Sequence, residues 1–183
     1  VIKNNKFTLK GMAEEKAIMG FLSVGPITSP MPESPVSTII LEPGTIKVKL
    51  DAKDVTVEGT PVNDQFNKVL VAMNKVGTFV EELDVAGNID NMPLDGEGQN
   101  AQERMQKLQK EMSEANFDFI KSNINKKAGQ FMFFSSFSPG SMIQFTKDQL
   151  KEILAGADST FRNTPDIVAM EREINRVIPE IGM

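Results

Sequence analysis

The period of the apolar residues changes once along this chain, at Gly59, and that change limits what the chain can fold into. Ahead of it, Ile46, Val48 and Leu50 alternate with Lys47 and Lys49, and Val55 and Val57 repeat the alternation after residues 51–54. A period of two is that of a half-buried strand, so this stretch predicts a tight antiparallel pair, entered through the Pro43-Gly44 turn. Behind Gly59, Val62, Phe66, Val69, Leu70, Met73, Val76, Val80 and Leu83 fall on one helical face. Asn63, Asp64, Lys68, Asn74 and Lys75 are then expected on the wet side. Thr60-Pro61 is a start signal, with Thr as cap and Pro at the first position, where its missing donor does no harm. Gly77 weakens this helix by about 1 kcal/mol relative to Ala unless a neighbour packs closely on it. The helix is expected to end near Leu83.

The remaining N-terminal residues also read as β. Asn4-Asn5 is a turn pair between short strands, with Phe7 and Leu9 on one side of the second and Gly11 at its end. Residues 17–24 are mostly apolar, as in a strand covered on both faces, with Gly20 as a bulge candidate. Pro26, Pro30, Pro32 and Pro35 exclude ladder strand and helix between them, leaving a stiff exposed loop or, in the sharper reading, a Pro-rich docking motif. Residues 37–41 resume strand character. The fold class is therefore α+β, with an N-terminal antiparallel β-sheet or small sandwich over residues 1–60 and a helical layer over residues 61–183, together one compact unit.

Beyond the long helix, residues 84–100 break the periodicity and gather Asp84, Asp90, Asp95 and Glu97 among Gly and Asn. Such a run invites a calcium reading. With Asp90 as first ligand of an EF-hand loop, Met92 and Leu94 would occupy ligand positions, so that register fails and a solvated connector or an irregular cation site is left. Ala101, Met105, Leu108, Met112, Ala115 and Phe119 recur four and three residues apart, the seam of a helix packed on another helix; a dimeric coiled coil is the alternative. Phe117, Phe119, Phe131, Phe133, Phe134 and Phe137 read as core, or as a stacking platform for a ligand. Thr146 and Gln149 match a capping box, and Thr164-Pro165 opens a last helix with Ile167, Val168, Ile174 and Val177 on its apolar side until Pro179.

Composition narrows the chemistry. The 183 residues contain no Cys and no His, which removes thiol nucleophiles, disulfides, thiolate metal sites, the commonest general base and the commonest transition-metal ligand. The absence of Cys suits a reducing or an oxidising compartment alike. Tyr and Trp are also missing, so carbohydrate platforms have only Phe to build on. A net charge of −5 with dispersed Lys and Arg argues against nucleic acid and against polybasic attachment to anionic lipid. No apolar run reaches the roughly 20 residues of a membrane span. No residue is singled out as catalytic, cofactor-binding or metal-ligating, and no cofactor is expected. Paired carboxylates leave a hydrolase as a remote third class.

Three runs carry a resemblance: Asn5-Lys6-Phe7-Thr8-Leu9-Lys10-Gly11, Leu41-Glu42-Pro43-Gly44-Thr45-Ile46 and Val57-Glu58-Gly59-Thr60-Pro61-Val62-Asn63-Asp64. Their order resembles the uncharacterised N-terminal domain that precedes thioredoxin-like modules, of the alkyl-hydroperoxide-reductase and thiol-specific-antioxidant type, in envelope proteins of gut anaerobes. Phe119-Ile120-Lys121-Ser122-Asn123 and the helices from Thr146 and Thr164 are similar to its helical part. The resemblance implies a non-enzymatic accessory domain of a thiol-disulfide oxidoreductase in the periplasm or cell envelope, positioning the redox module or recognising an envelope partner. It also implies a further strand pair upstream, a Cys-x-x-Cys module downstream and, for a lipoprotein, an anchor in the upstream segment. With no Cys present, no redox residue is carried over. The alternative is a stand-alone module that binds a protein or ligand, and a homodimer is an open arrangement for either.

Overall fold

The structure, a computed structural model, describes residues 6–12, 17–23, 36–50 and 55–176. Among these, four strands form two separate antiparallel hairpins and six helices follow. Strand β1 (Ile18–Ser23) pairs with β2 (Val36–Leu41), and β3 (Lys47–Leu50) with β4 (Val55–Glu58). The sheet foreseen over residues 1–60 is thus divided. Two-stranded hairpins are marginal by themselves, so each has to be held by something else.

That support is helix α1 (Pro61–Ala86). Ile40 points both its N–H and its C=O away from β1, as a residue of a non-hydrogen-bonded antiparallel pair does. Asn63 meets both: its Oδ1 accepts from Ile40 N–H at 2.9 Å and its Nδ2 donates to Ile40 C=O at 2.8 Å. The side-chain amide thus fills the place of a third strand. One turn later on the same face, Asn67 Oδ1 accepts from Val57 N–H of β4 at 3.3 Å. The orphan donors at the start of α1 are met from outside the helix, since Thr60 makes no side-chain cap. Glu42 Oε1 instead accepts from Val62 N–H at 2.8 Å and Asn63 N–H at 3.1 Å. Asn63, expected on the wet side, is fully buried.

The apolar stripe of α1 also departs from expectation. Val62, Phe66, Val69 and Leu70 are buried as foreseen, but Met73 and Val80 are about half exposed, and Ala72 and Phe79 are buried instead. The two ends of the helix face different cores. The first half joins the main core, which runs from Ile40 and Val57 through Phe66, Phe119, Ile120 and Phe133 to Ile153, Ile167 and Ile174. The second half closes a small core of Phe79, Met92 and Ala101, where the Arg104 guanidinium lies 5.3 Å from the Phe79 ring centre and pairs with Glu82. The helix runs three residues past Leu83, and Gly87, at φ 69°, gives it a left-handed C-cap bonded to Leu83 C=O.

Helix α2 (Ala101–Asn123) starts at a capping box of Asn100 and Glu103, and its seam packs on α1 of the same chain, as a core-facing helix would. Helix α3 (Lys127–Ser135) was not foreseen, because consecutive apolar residues hide its period. It turns back so closely on α2 that a Cβ at Gly129 would overlap the carbonyl of Asn123. The Phe residues of α3 and the turn after it divide: Phe133 is buried, whereas Phe131, Phe134 and, beyond the helix, Phe137 are 51, 42 and 47% exposed. Phe133 also stacks edge-on with Phe161 at 5.8 Å, on the unforeseen short helix α5 (Ser159–Arg162). Helix α4 (Lys147–Ala155) has the predicted Thr146–Gln149 capping box with both bonds formed, and α6 (Pro165–Ile174) begins behind Thr164 as predicted.

Several strand expectations change. Residues 7–12 form no strand, and Leu9 and Met12 are exposed. Strand β1 is only half covered, with Phe21 65% exposed. Gly20 makes no bulge, pairing in regular register with Ile39 beneath the Leu41 side chain. The Asn4-Asn5 turn, the Pro-rich loop, the turn at residues 51–54, Val177 and Pro179 lie outside the described residues.

Two stability predictions follow from α1. Asn63→Leu leaves Ile40 N–H and C=O buried without partners, so the urea midpoint should fall by an amount equivalent to about 3 kcal/mol. Gly77→Ala should raise stability by about 1 kcal/mol, because nothing lies within 4 Å of the added Cβ and the helix interior loses a glycine.

Candidate functional site

An apolar groove of about 340 Å³ lies where β1, α1, α2, α3 and the segment at residues 141–143 meet. Each element contributes through its own period. Met19 and Phe21, two residues apart on β1, face the helices together with Thr38 of β2. Phe66, Val69 and Met73 descend one face of α1 at spacings of three and four, and Met112 and Asn116 are four apart on α2. Helix α3 adds Phe131, Met132 and Ser135. The remaining wall, with Met142 and Ile143, is held by a hydrogen bond in which Gln144 N–H donates to Ser113 Oγ of α2 at 3.0 Å. Close Phe66–Phe119 packing, with ring centres 5.3 Å apart, makes the floor rigid.

Five of the lining residues are methionines: Met19, Met73, Met112, Met132 and Met142. Unbranched and polarizable, Met side chains repack around ligands of differing shape. Phe21, Phe131 and Met73 are 65, 51 and 48% exposed, so the apolar surface continues over the rim. Among the described residues, no Asp, Glu, Lys or Arg lines the groove. The arrangement suits holding an apolar group rather than moving protons or charge.

Asn116 is the exception within this wall. It is 1% exposed, and its Nδ2 donates to Met112 C=O at 2.8 Å, which fixes the orientation of the amide. Its Oδ1 is covered and receives no hydrogen bond from the described residues. Thr38, Ser135 and Ser141, the other polar residues of the lining, are half-buried or exposed. The sequence reading selected no site residue. The signals for this one were the 11 methionines and an Asn set among Met112, Ala115, Phe119 and Ile120.

The carboxylates of residues 84–100 do not converge. Asp84 lies within α1, Asp90 in a single 3₁₀ turn (Ile89–Asn91), and Asp95 and Glu97 in the turn before α2. Among the described residues, no group of three or more Asp, Glu, His or Cys side chains could hold a metal ion. The connector is instead ordered by Asp95, whose Oδ1 accepts from Gln99 N–H at 2.8 Å and Glu97 N–H at 2.9 Å. Donation from Gln99 N–H is the main cause of a carboxyl pKa below the usual value; partial desolvation opposes it, and Glu97 N–H, Arg104 and Lys107 reinforce it. Since the folded value lies below the unfolded one, this latch contributes fully above the ordinary Asp pKa of about 3.9 and is lost as pH falls through the folded value. The stability advantage of wild type over Asp95→Asn, followed by thermal melts, should therefore shrink as the medium is acidified from about pH 6 to about pH 3.

A family model described as a domain of unknown function, DUF4369, matches residues 1–66, which take in both hairpins and α1 as far as Asn63 and Phe66. The matched span is narrower than the resemblance drawn from the sequence, which ran over most of the chain. No curated protein and no solved structure matches the chain.

Proposed function

We propose that this chain is a non-catalytic accessory domain that works by binding, with the Met-lined groove as its binding surface. The observation that carries the reading is the lining itself: five thioethers and several Phe and aliphatic side chains, continuous with an exposed apolar rim and, among the described residues, free of ionisable groups. A groove of this kind gains affinity from the area it removes from water, at about 25 cal/mol per Å². It has no general acid, general base or charged clamp along its walls.

In the finer form of the proposal, the parent protein is a thiol-disulfide oxidoreductase of the cell envelope, and the groove positions a thioredoxin-like module or recognises its partner. That form is supported by the likeness of the strand and turn segments around Phe7, Pro43 and Gly59. The match over residues 1–66 is to a domain of unknown function and names neither a role nor a partner. Among the described residues, no helix is long and apolar enough to cross a membrane.

Titration of the folded chain with an environment-sensitive apolar dye tests the groove. Wild type should bind and brighten the dye, and Met73→Glu and Phe131→Glu, each with an unchanged melting temperature, should bind it at least about tenfold more weakly, because an apolar ligand seated there would strip water from the new carboxylate at the rim. Binding unaffected by either substitution would remove the groove from the proposal. Steady reduction of insulin disulfides by the purified chain would overturn the non-catalytic reading. A native reading frame that carries no Cys-x-x-Cys module would overturn the oxidoreductase form alone.

A further inference from the structure

We infer that the groove takes a small amphiphile, a hydrocarbon chain ending in a single hydrogen-bond donor such as a hydroxyl or primary amide, whose donor is received by Asn116 Oδ1. The inference rests on the groove being a binding surface and adds to it the chemistry of the occupant.

Asn116 supplies the argument. A buried carbonyl oxygen without a donor costs stability, and replacement by an apolar residue of similar shape would relieve that cost. The Asn116 amide does not resolve this by turning over, because that would set Oδ1 against Met112 C=O, two acceptors facing each other. The acceptor therefore stays on the side away from the α2 backbone, in a residue that borders the groove. A buried water is a poor substitute: such waters usually make about three hydrogen bonds, and among the described residues Asn116 is the one buried polar residue of this lining.

The rest of the lining defines the other end of the ligand. The walls are thioether, aromatic and aliphatic, so they accept hydrocarbon. At about 340 Å³ the groove lies near the small end of the range for ligand pockets, roughly 300–1,000 Å³. At about 30 Å³ per heavy atom, taken from the volume of a water molecule, it holds on the order of ten such atoms. A ligand carrying a full negative charge would meet the negative end of the Asn116 dipole with no cation among the described lining residues, so carboxylates and phosphates are disfavoured. Because Oδ1 is covered, the donor reaches it as neighbouring Met side chains, Met112 and Met132 among them, change rotamer.

The test compares 1-decanol with 1-methoxynonane, an ether of the same size that has no donor, by calorimetric titration of the folded 183-residue chain, with methionine methyl NMR locating the ligand. Wild type should bind the alcohol about fivefold to tenfold more tightly than the ether, the effect of one hydrogen bond. Asn116→Leu should bind the two equally and melt no lower than wild type. Equal binding of alcohol and ether by wild type, with methionine shifts from both, overturns the role of Asn116 and leaves the groove as an apolar site. Absence of binding by either ligand overturns both. Should Asn116→Leu fold poorly, the alcohol-to-ether ratio in wild type decides the matter, with Asn116→Ala as the second variant.

Discussion

The β1–β2 hairpin is fastened to α1 through one side-chain amide, that of Asn63. Asn63 offers an acceptor and a donor at the spacing of a peptide group, and Ile40 accepts it as it would a neighbouring strand. A paired strand would protect this edge of β2 by adding backbone; here a helix protects it, and the same helix turn begins burying Phe66. Glu42 completes the junction by capping the helix from the chain that leaves β2, so strand end, turn and helix start form one hydrogen-bonded unit. Asn67 repeats the device for the second hairpin. Because these groups are buried and matched, the hairpins cannot slide along α1 without leaving several polar atoms unpaired.

The groove is a by-product of that arrangement. A hairpin fixed to α1 by its β2 strand holds β1 out over the helical layer, where the side chains of Met19 and Phe21 face α3 without reaching full closure. Meanwhile α3 is pressed against α2 at Gly129 and tied to the start of β1 by a hydrogen bond from Ala128 N–H to Ala17 C=O at 2.9 Å. The elements are thus fixed at their ends, and the space between their middles is filled by the most adaptable apolar side chain available. Polar connections elsewhere serve rigidity: Asn125, for example, bonds Gly156 C=O and Asp158 N–H and so joins the α2–α3 corner to the α4–α5 corner.

Much of this was legible in the sequence where a local rule has one outcome. The switch of period at Gly59 separates strands from helices at the right place, and the Thr146–Gln149 box marks the first turn of α4. The rules failed where a distant partner decides. Asn63 looks solvated until an unfilled strand edge is placed beside it. Met73 and Phe79 belong to the same helix, and only the position of α2 determines that Phe79 is covered and Met73 is not. Three Phe residues near α3 read as core because their number suggested it, yet a nine-residue helix has too little inward face for all of them. The acidic run beginning at Asp84 reads as loop, yet α1 continues through it to Ala86, where Gly87 in the left-handed region ends the helix. The groove is a property of where five elements stop short of each other, and no periodicity encodes that.

Building a dry wall from thioethers couples it to oxidants. Met73, about half exposed at the rim, is the first of the five sulfurs that an oxidant meets. Its conversion to a sulfoxide would place a chiral, strongly accepting S=O group where the lining is otherwise hydrocarbon-like. With no cysteine in the chain to intercept the oxidant, the groove would lose its apolar character while the Asn63 clamp and the helical core beneath it stayed in place. The surface and the scaffold therefore differ in chemical durability, and methionine sulfoxide reduction is the reaction that would restore the former.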